Sequence, residues 1–362
     1  MKTYKIGIIG FGFIGKIHAY GYENFKYYYP RAPFRCKIAG VCTSKKETAE
    51  KAKKDYGIEF ATTDYRTLIE NPEIDIIDIS SPNIFHLSHI LYAMEKNKHI
   101  YCEKPLVCDY NQAKEIEKKL KNFNRVHQVA FHNRFFPAVI KTKQLIETGD
   151  IGQPTIFRIS YYHSGSVDPK KPIGWKQEKG AGVLLDLGSH ILDLSYYFLG
   201  RFKNVSGKSK ILYPERPTKD GTMTKVEVED HIIITAEMQN GAIGTIEASK
   251  IATGTQDELR YEIYGLKGAI RYNSMQPNYL HIYNVKNKGF EKLPTLGNYP
   301  ESDFPGPKFT TGWIRGHIHS IYNFMQCVYE TKKAVPSFHD GIYNLEVIEN
   351  IYKSISQSKQ NL

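Results

Sequence analysis

Asp186 and His190 stand four residues apart in the run from Gly180 to Gly200, GAGVLLDLGSHILDLSYYFLG. In an α-helix that spacing puts a carboxylate and an imidazole on one face, a turn apart. Asp193 continues the polar stripe, while Val, Leu, Ile, Tyr and Phe fill most other positions. A helix with this pattern is buried nearly all round. Ionisable groups in such a place are costly unless paired, hydrogen-bonded or lining a cavity. Two readings follow for Asp186 and His190. One is a core histidine satisfied by its carboxylate; the other is a pair facing a cleft and able to move a proton. Asp193 is read as structural.

A second constellation opens the chain. Residues 6–15 read IGIIGFGFIG. Gly10, Gly12 and Gly15 follow an apolar strand and open a helix, with Phe13 and Ile14 in its first turn. The first glycine permits a tight turn, the second lets backbone approach a pyrophosphate, and the third lets helix and strand pack closely. Phosphates would rest on the helix N-terminal amides, where the dipole favours negative charge. The strand–turn–helix context separates this triplet from a mere tight turn. At the end of the second strand an acid would bind the ribose 2′-hydroxyl of NAD. This chain has Thr43, Ser44, Lys45 and Lys46 there, with no acid until Glu47. Hydroxyls and lysines suit a 2′-phosphate, so NADP is expected over NAD. Two further loops lie at strand C-termini, where ligands bind in open α/β sheets. One carries Ser81, Pro82 and Asn83, then His86; the other carries Glu103, Lys104 and Pro105. Both are expected to border a nicotinamide, against the plainer reading of Glu103 and Lys104 as a surface ion pair.

The elements that must position these residues fall into two rhythms. Up to about residue 130, short apolar strands alternate with amphipathic helices, the pattern of a parallel sheet covered on both faces. Strands are expected at 5–9, 37–41, 59–61, 74–79, 99–102 and 126–131. Asp109 and Gln112 form a capping box for the last helix of the series; residues 23–35 are left unassigned. Beyond residue 131, strands follow in series at 155–162, 205–211, 226–238, 242–247, 260–264 and 269–272. Turn chemistry at Gln239-Asn240-Gly241 predicts a hairpin. The expectation is an α/β Rossmann domain, a doubly wound parallel sheet, over residues 1–130. An α+β domain over 131–362 then follows, an open-faced and mainly antiparallel sheet covered by helices on one face. Two long helices near 313–331 and 341–356 end the chain.

Composition narrows the class. A chain of 362 residues is long enough for two domains with cores of their own. The formal net charge is +11, yet the lysines are scattered through amphipathic helices without a basic tail. That is a solvated surface rather than a nucleic-acid footprint. Five cysteines, an odd number without metal-ligand spacing, fit a reducing compartment with free thiols. Neither a leader segment nor a membrane span is read in the sequence, so a cytoplasmic protein is expected. His317 and His319 have no Cys, Asp or Glu at ligand spacing, so no catalytic metal is expected.

Taken together, the motifs resemble the Gfo/Idh/MocA oxidoreductases over nearly the whole chain. The resemblance rests on the glycine triplet, Pro82-Asn83 with His86, Glu103-Lys104-Pro105, Arg134 with Pro137, and Gly180 to Gly182 leading to Asp186 and His190. It implies reversible hydride transfer between an NAD(P) nicotinamide and a hydroxyl-bearing carbon of a sugar, polyol or inositol. It also implies a homodimer or homotetramer. Lys104, Asp186 and His190 match the family's catalytic positions. Whether Lys104 or His190 takes the hydroxyl proton stays open. Asn133, Arg134 and Trp175 are further candidates for contact with the substrate. Two alternatives remain: a glycosidase that oxidises and re-reduces its substrate on a retained NAD, and a non-catalytic nucleotide-binding regulator.

Overall fold

The computed structural model describes residues 1–174, 180–285 and 287–360. The chain divides into two compact units. The first comprises Met1–Phe135, Tyr299–Pro307 and Gly312–Tyr343; the second comprises Phe136–Asn298, Lys308–Thr311 and Asn344–Leu362.

In the first unit, strands β1 (Lys2–Ile9), β2 (Phe34–Cys42), β3 (Phe60–Thr62), β4 (Ile76–Ile79), β5 (His99–Cys102) and β6 (His127–Val129) form one sheet in the order β3-β2-β1-β4-β5-β6. Every neighbouring pair is parallel. The order reverses beside β1, and such a switch point opens a crevice at the strand C-termini. Continuous apolar runs such as Ile76-Ile77 are buried because helices cover both faces. Those helices are α1 (Phe13–Tyr28), α2 (Lys46–Tyr56), α3 (Tyr65–Glu70), α4 (His86–Glu95) and α5 (Tyr110–Leu120). The unassigned residues 23–35 prove to be the end of α1 and the start of β2. At α5 the Asp109 side chain accepts from the Gln112 amide, as the capping box requires.

A late helix completes this unit. Helix α8 (Trp313–Glu330) sends Ile318, Ile321, Phe324 and Met325 into the same core as Ile6, Ile8, Tyr22, Phe25 and Tyr101. Gly21 of α1 has a packing reason: a Cβ there would sit 2.5 Å from Ile321 Cδ1.

The second unit begins with α6 (Pro137–Glu147) and β7 (Pro154–Tyr162), followed by α7 (Ser189–Leu199). Its sheet adds β8 (Phe202–Lys210), β11 (His231–Met238), β12 (Ile243–Ser249), β13 (Glu258–Gly265), β14 (Ala269–Asn273), β15 (Tyr279–Asn284) and β16 (Gly289–Pro294). A separate two-stranded ribbon is made by β9 (Glu215–Pro217) and β10 (Met223–Lys225). The eight strands run in the order β16-β15-β14-β13-β7-β12-β11-β8. The sheet is mixed: β7 and β12 pair in parallel, and the other neighbours pair antiparallel. Side chains alternate along the middle of β7, β11 and β13, as in a half-covered sheet. Phe157, Ile159, Ile234, Ile246 and Ile263 are buried, while Ile156, Ile233 and Ile243 are exposed. The chain ends in α9 (Phe338–Gln360). No helix among the described residues is long and apolar enough to cross a membrane.

Candidate functional site

The glycine triplet forms a cradle. Gly10 sits at φ +91°, and a Cβ there would lie 2.6 Å from the Ser81 amide nitrogen. A Cβ on Gly15 would lie 2.2 Å from the Gly10 carbonyl oxygen. Both positions therefore require glycine, one for its dihedral and both for space. Gly12 differs: a Cβ there would meet nothing within 4 Å, and as the residue capping α1 it provides no side-chain acceptor. The first amides of α1 thus face open space with the helix dipole behind them, which fits a dinucleotide pyrophosphate. Phe13, exposed, stacks on Trp313 at 5.8 Å, and Ile14 is half-buried. At the end of β2, the Thr43 hydroxyl donates to the Lys45 carbonyl and lies 2.6 Å from the Thr48 hydroxyl. Ser44 and Lys45 are exposed beside it.

Beneath this cradle lies a buried charge cluster that reading the sequence did not single out. His18, on the inner face of α1, is fully buried. Its Nδ1 lies 3.0 Å from both carboxylate oxygens of Asp78 on β4, and its Nε2 lies 3.2 Å from Glu103 Oε1. Burial alone would strip the imidazole of its proton, but the Asp78 charge and the hydrogen bonds to Asp78 and Glu103 outweigh it and raise the pKa to about 10. An imidazolium therefore pins two carboxylates from adjacent strands to α1. Glu103 uses its other oxygen, Oε2, to accept from the Lys104 amide at 3.1 Å. The backbone that presents Lys104 is thus anchored to the cluster, and Lys104 is half-buried. The signal was available: His18 falls three residues after the last glycine, and Asp78 interrupts an otherwise apolar strand.

His317 of α8 joins this neighbourhood. Its ring is fully buried, stacks on His132 at 3.8 Å and finds no hydrogen-bond partner. Among the described residues, His18, Glu103 and His317 form a trio whose ligand-type atoms lie within 4.8 Å of one another. Spacing along the chain could not reveal this grouping. The positive charge between the carboxylates is supplied by the imidazolium itself.

The loop after β4 has a built-in tie. His86 Nε2 lies 2.9 Å from the Ser81 carbonyl, and its Nδ1 lies 3.0 Å from that of Pro105 and 3.2 Å from that of Leu106. One ring thereby links the two loops expected to border the nicotinamide, and burial lowers its pKa. The Ser81 hydroxyl lies 3.1 Å from His89 Nδ1, Pro82 is exposed and Asn83 is buried. Arg134, expected near substrate, is buried and donates to Asp340 at 3.0 Å, which ties its turn to the start of α9. Asn133 is buried beside it. Trp175 lies outside the described residues.

In the second unit, the expected regular helix over 180–200 is interrupted. Residues Leu184–Gly188 form a π-helical turn, and α7 follows directly. Such turns recur at functional sites because they rotate one side chain out of α-helical register. Asp186 sits in that turn, and His190, 4% exposed, lies in the first turn of α7. The His190 ring packs 5.8 Å from that of Tyr161 on β7. The π turn is clamped from the sheet side. Glu229 Oε1 accepts from the Leu184 amide at 2.9 Å and from the Tyr352 hydroxyl at 3.2 Å. Its backbone carbonyl accepts from Val183 at 3.0 Å. Lys250, directly after β12, lies 3.3 Å from Asp186 Oδ2. Lys250 and Glu229 were missed in the sequence because both lie in segments flanking strands far along the chain.

A parallel sheet in this strand order, with a phosphate cradle at its switch point, defines a dinucleotide-binding fold. Comparison with known proteins fixes its kind. Residues 4–131 match the GFO_IDH_MocA family described as "Oxidoreductase family, NAD-binding Rossmann fold". Residues 143–361 match its "Oxidoreductase family, C-terminal alpha/beta domain". The chain belongs to this family and is an NAD-binding oxidoreductase. It is 31% identical over 372 residues to levoglucosan dehydrogenase of Pseudarthrobacter phenanthrenivorans, covering 97% of this chain and 95% of that one. It is 28% identical over 344 residues to scyllo-inositol 2-dehydrogenase (NAD(+)) of Bacillus subtilis, covering 95% and 91%. The solved structure of levoglucosan dehydrogenase in complex with NADH and levoglucosan superposes with a TM-score of 0.94, at 31% identity over 98% of each chain.

Proposed function

We infer that the protein interconverts a secondary alcohol and its ketone on a sugar, inositol or related polyol. The bound dinucleotide supplies the hydride acceptor or donor. Gly10, Gly12, Gly15 and the first amides of α1 would hold its pyrophosphate, with Phe13 and Ile14 beside them. Ser81, Pro82, Asn83 and Glu103 would line its path toward the nicotinamide, with His86 holding the loops in place. Ser44 and Lys45 would meet the ribose, and the lack of an acid there supports NADP over NAD.

Oxidising an alcohol requires a base for the hydroxyl proton and a cation or donor for the developing oxyanion. Lys104 and His190 share these two tasks, and Asp186 orients the reacting groups. The observation that carries this reading is the presence of Lys104, Asp186 and His190, in the motifs that resemble the family's, in a chain whose relatives are named sugar and inositol dehydrogenases. The exposed face of the second unit's sheet is proposed as the surface through which two or four copies associate.

The test is absorbance at 340 nm with a panel of sugars, inositols and their keto forms, each with NAD(H) and NADP(H). Net reduction or oxidation is expected on at least one polyol, with tighter binding of the 2′-phosphorylated cofactor. On that substrate, Lys104→Ala and His190→Ala should each lose about 100- to 10,000-fold in kcat. Near-normal turnover in either variant overturns its assigned role. Product formation without net change at 340 nm would favour a glycosidase.

A further inference from the structure

A buried lysine demands an explanation, because desolvating an ammonium is costly without a matched partner. Lys250 is 7% exposed, immediately past the last residue of β12. Its backbone is fixed: the amide donates to the Asp230 carbonyl at 2.8 Å, and Asp230 in turn accepts from the Leu212 amide through Oδ2. Its Nζ reaches the Asp186 carboxylate in the π turn at 3.3 Å and the carbonyl of Gly182, just before the turn, at 3.4 Å. The same Gly182 carbonyl accepts from the Asp186 amide at 3.0 Å. The ammonium thus grips both the carboxylate and the backbone that carries it. The Lys250 and Asp186 side chains are only 9% and 12% exposed, so solvent screens their attraction weakly.

We propose that Lys250 is a positioning residue that holds the Asp186 carboxylate in place and aimed for the proton-handling step. This deepens the proposed function and rests on it. Among the described residues, Lys250 from the end of β12 pairs with Asp186, and Tyr161 of β7 interacts electrostatically with it and with Asp257; Glu229, from the approach to β11, holds the first amide of the same turn, and His190 follows on α7. Glu229 is turned to the Leu184 amide and Tyr352, and burial raises its pKa. Of these groups, Lys250 lies within ion-pair distance of the Asp186 carboxylate.

The experiment compares Lys250→Gln, Lys250→Met and Lys250→Arg with Asp186→Asn, on the polyol found above. Lys250→Gln should lower kcat by on the order of 100-fold through misplacement of the carboxylate. The acid limb of its kcat profile should move up by about one pH unit or more, since losing a cation beside the site favours protonation of the groups around it. Lys250→Arg should keep the acid limb in place. The double variant Lys250→Gln/Asp186→Asn should be no slower than Asp186→Asn alone. A purely packing role would lower stability without moving the pH profile. If Lys250→Met does not fold, Lys250→Gln decides. Wild-type kcat and an unmoved acid limb in Lys250→Gln, with Asp186→Asn inactive, overturn this proposal alone. Near-normal turnover in Asp186→Asn instead overturns the site assignment beneath it.

Discussion

His18 shows how a single side chain organises a nucleotide-binding unit. Its imidazolium lies between Asp78 and Glu103, and the second of these holds the Lys104 amide. Removing one partner of a buried ion pair strands the others, at about 3–5 kcal/mol. His18→Gln should therefore lower the unfolding free energy by about that amount at neutral pH, measurable by denaturant melts. The pH dependence has a definite sign. The folded pKa of about 10 lies above the ordinary 6.5, so the pairing contributes fully below 6.5 and is lost as pH rises through about 10. The stability gap between wild type and His18→Gln should be widest in mild acid and close in strong alkali. A gap that widens with pH would reverse the charge assignment. The glycine turn was legible in the sequence, and Lys104, Asp186 and His190 could be picked out as candidates, because their motifs are local. His18, Asp78 and Glu103 come from three elements, so only the fold brings them together.

At the scale of elements, the π turn is the feature that periodicity could not reveal. The pattern of residues 180–200 is helical throughout, and the extra residue per turn comes from what the sheet offers it. Glu229 and Lys250 meet the turn at its first amides and at its carboxylate. Gly182 leads into the turn at φ +105°, where a Cβ would sit 2.7 Å from Glu229 Oε1. Gly182→Ala combines a left-handed strain with that clash, at about 1–3 kcal/mol. Thermal melts should show the loss, and turnover should fall with it because Asp186 rides on the displaced turn. An unchanged melting temperature would show that the turn relaxes freely. The strands were easier to read: the expected 99–102 matches β5, while β9 and β10 were missed because they have three residues each, and β15 and β16 were missed as well.

At the scale of the whole molecule, the second unit's sheet leaves one face uncovered. Ile243 is 61% exposed and pairs in register with Ile156, which is 50% exposed. Around them stand charges already satisfied within the sheet, such as Arg158 with Glu262 at 3.4 Å. An apolar centre with a polar rim is the anatomy of an association surface. Light scattering of the purified protein should give a dimer or tetramer, and Ile243→Glu should shift it toward monomer with the fold retained. A monomeric wild type would remove this reading.

The division of the chain was legible only in part. The change of rhythm near residue 131 marks where the first run of alternating strands and helices stops. Nothing in the periodicity of α8 says which core its apolar face will enter, since an amphipathic helix fits many partners. That placement governs how the protein is born. A ribosome delivers the parallel sheet and α1 first and the whole second sheet next, and only then Ile318, Ile321 and Phe324, which pack against Tyr22 and Phe25. Through most of synthesis the nucleotide-binding half is an unroofed nascent domain with a wet apolar flank.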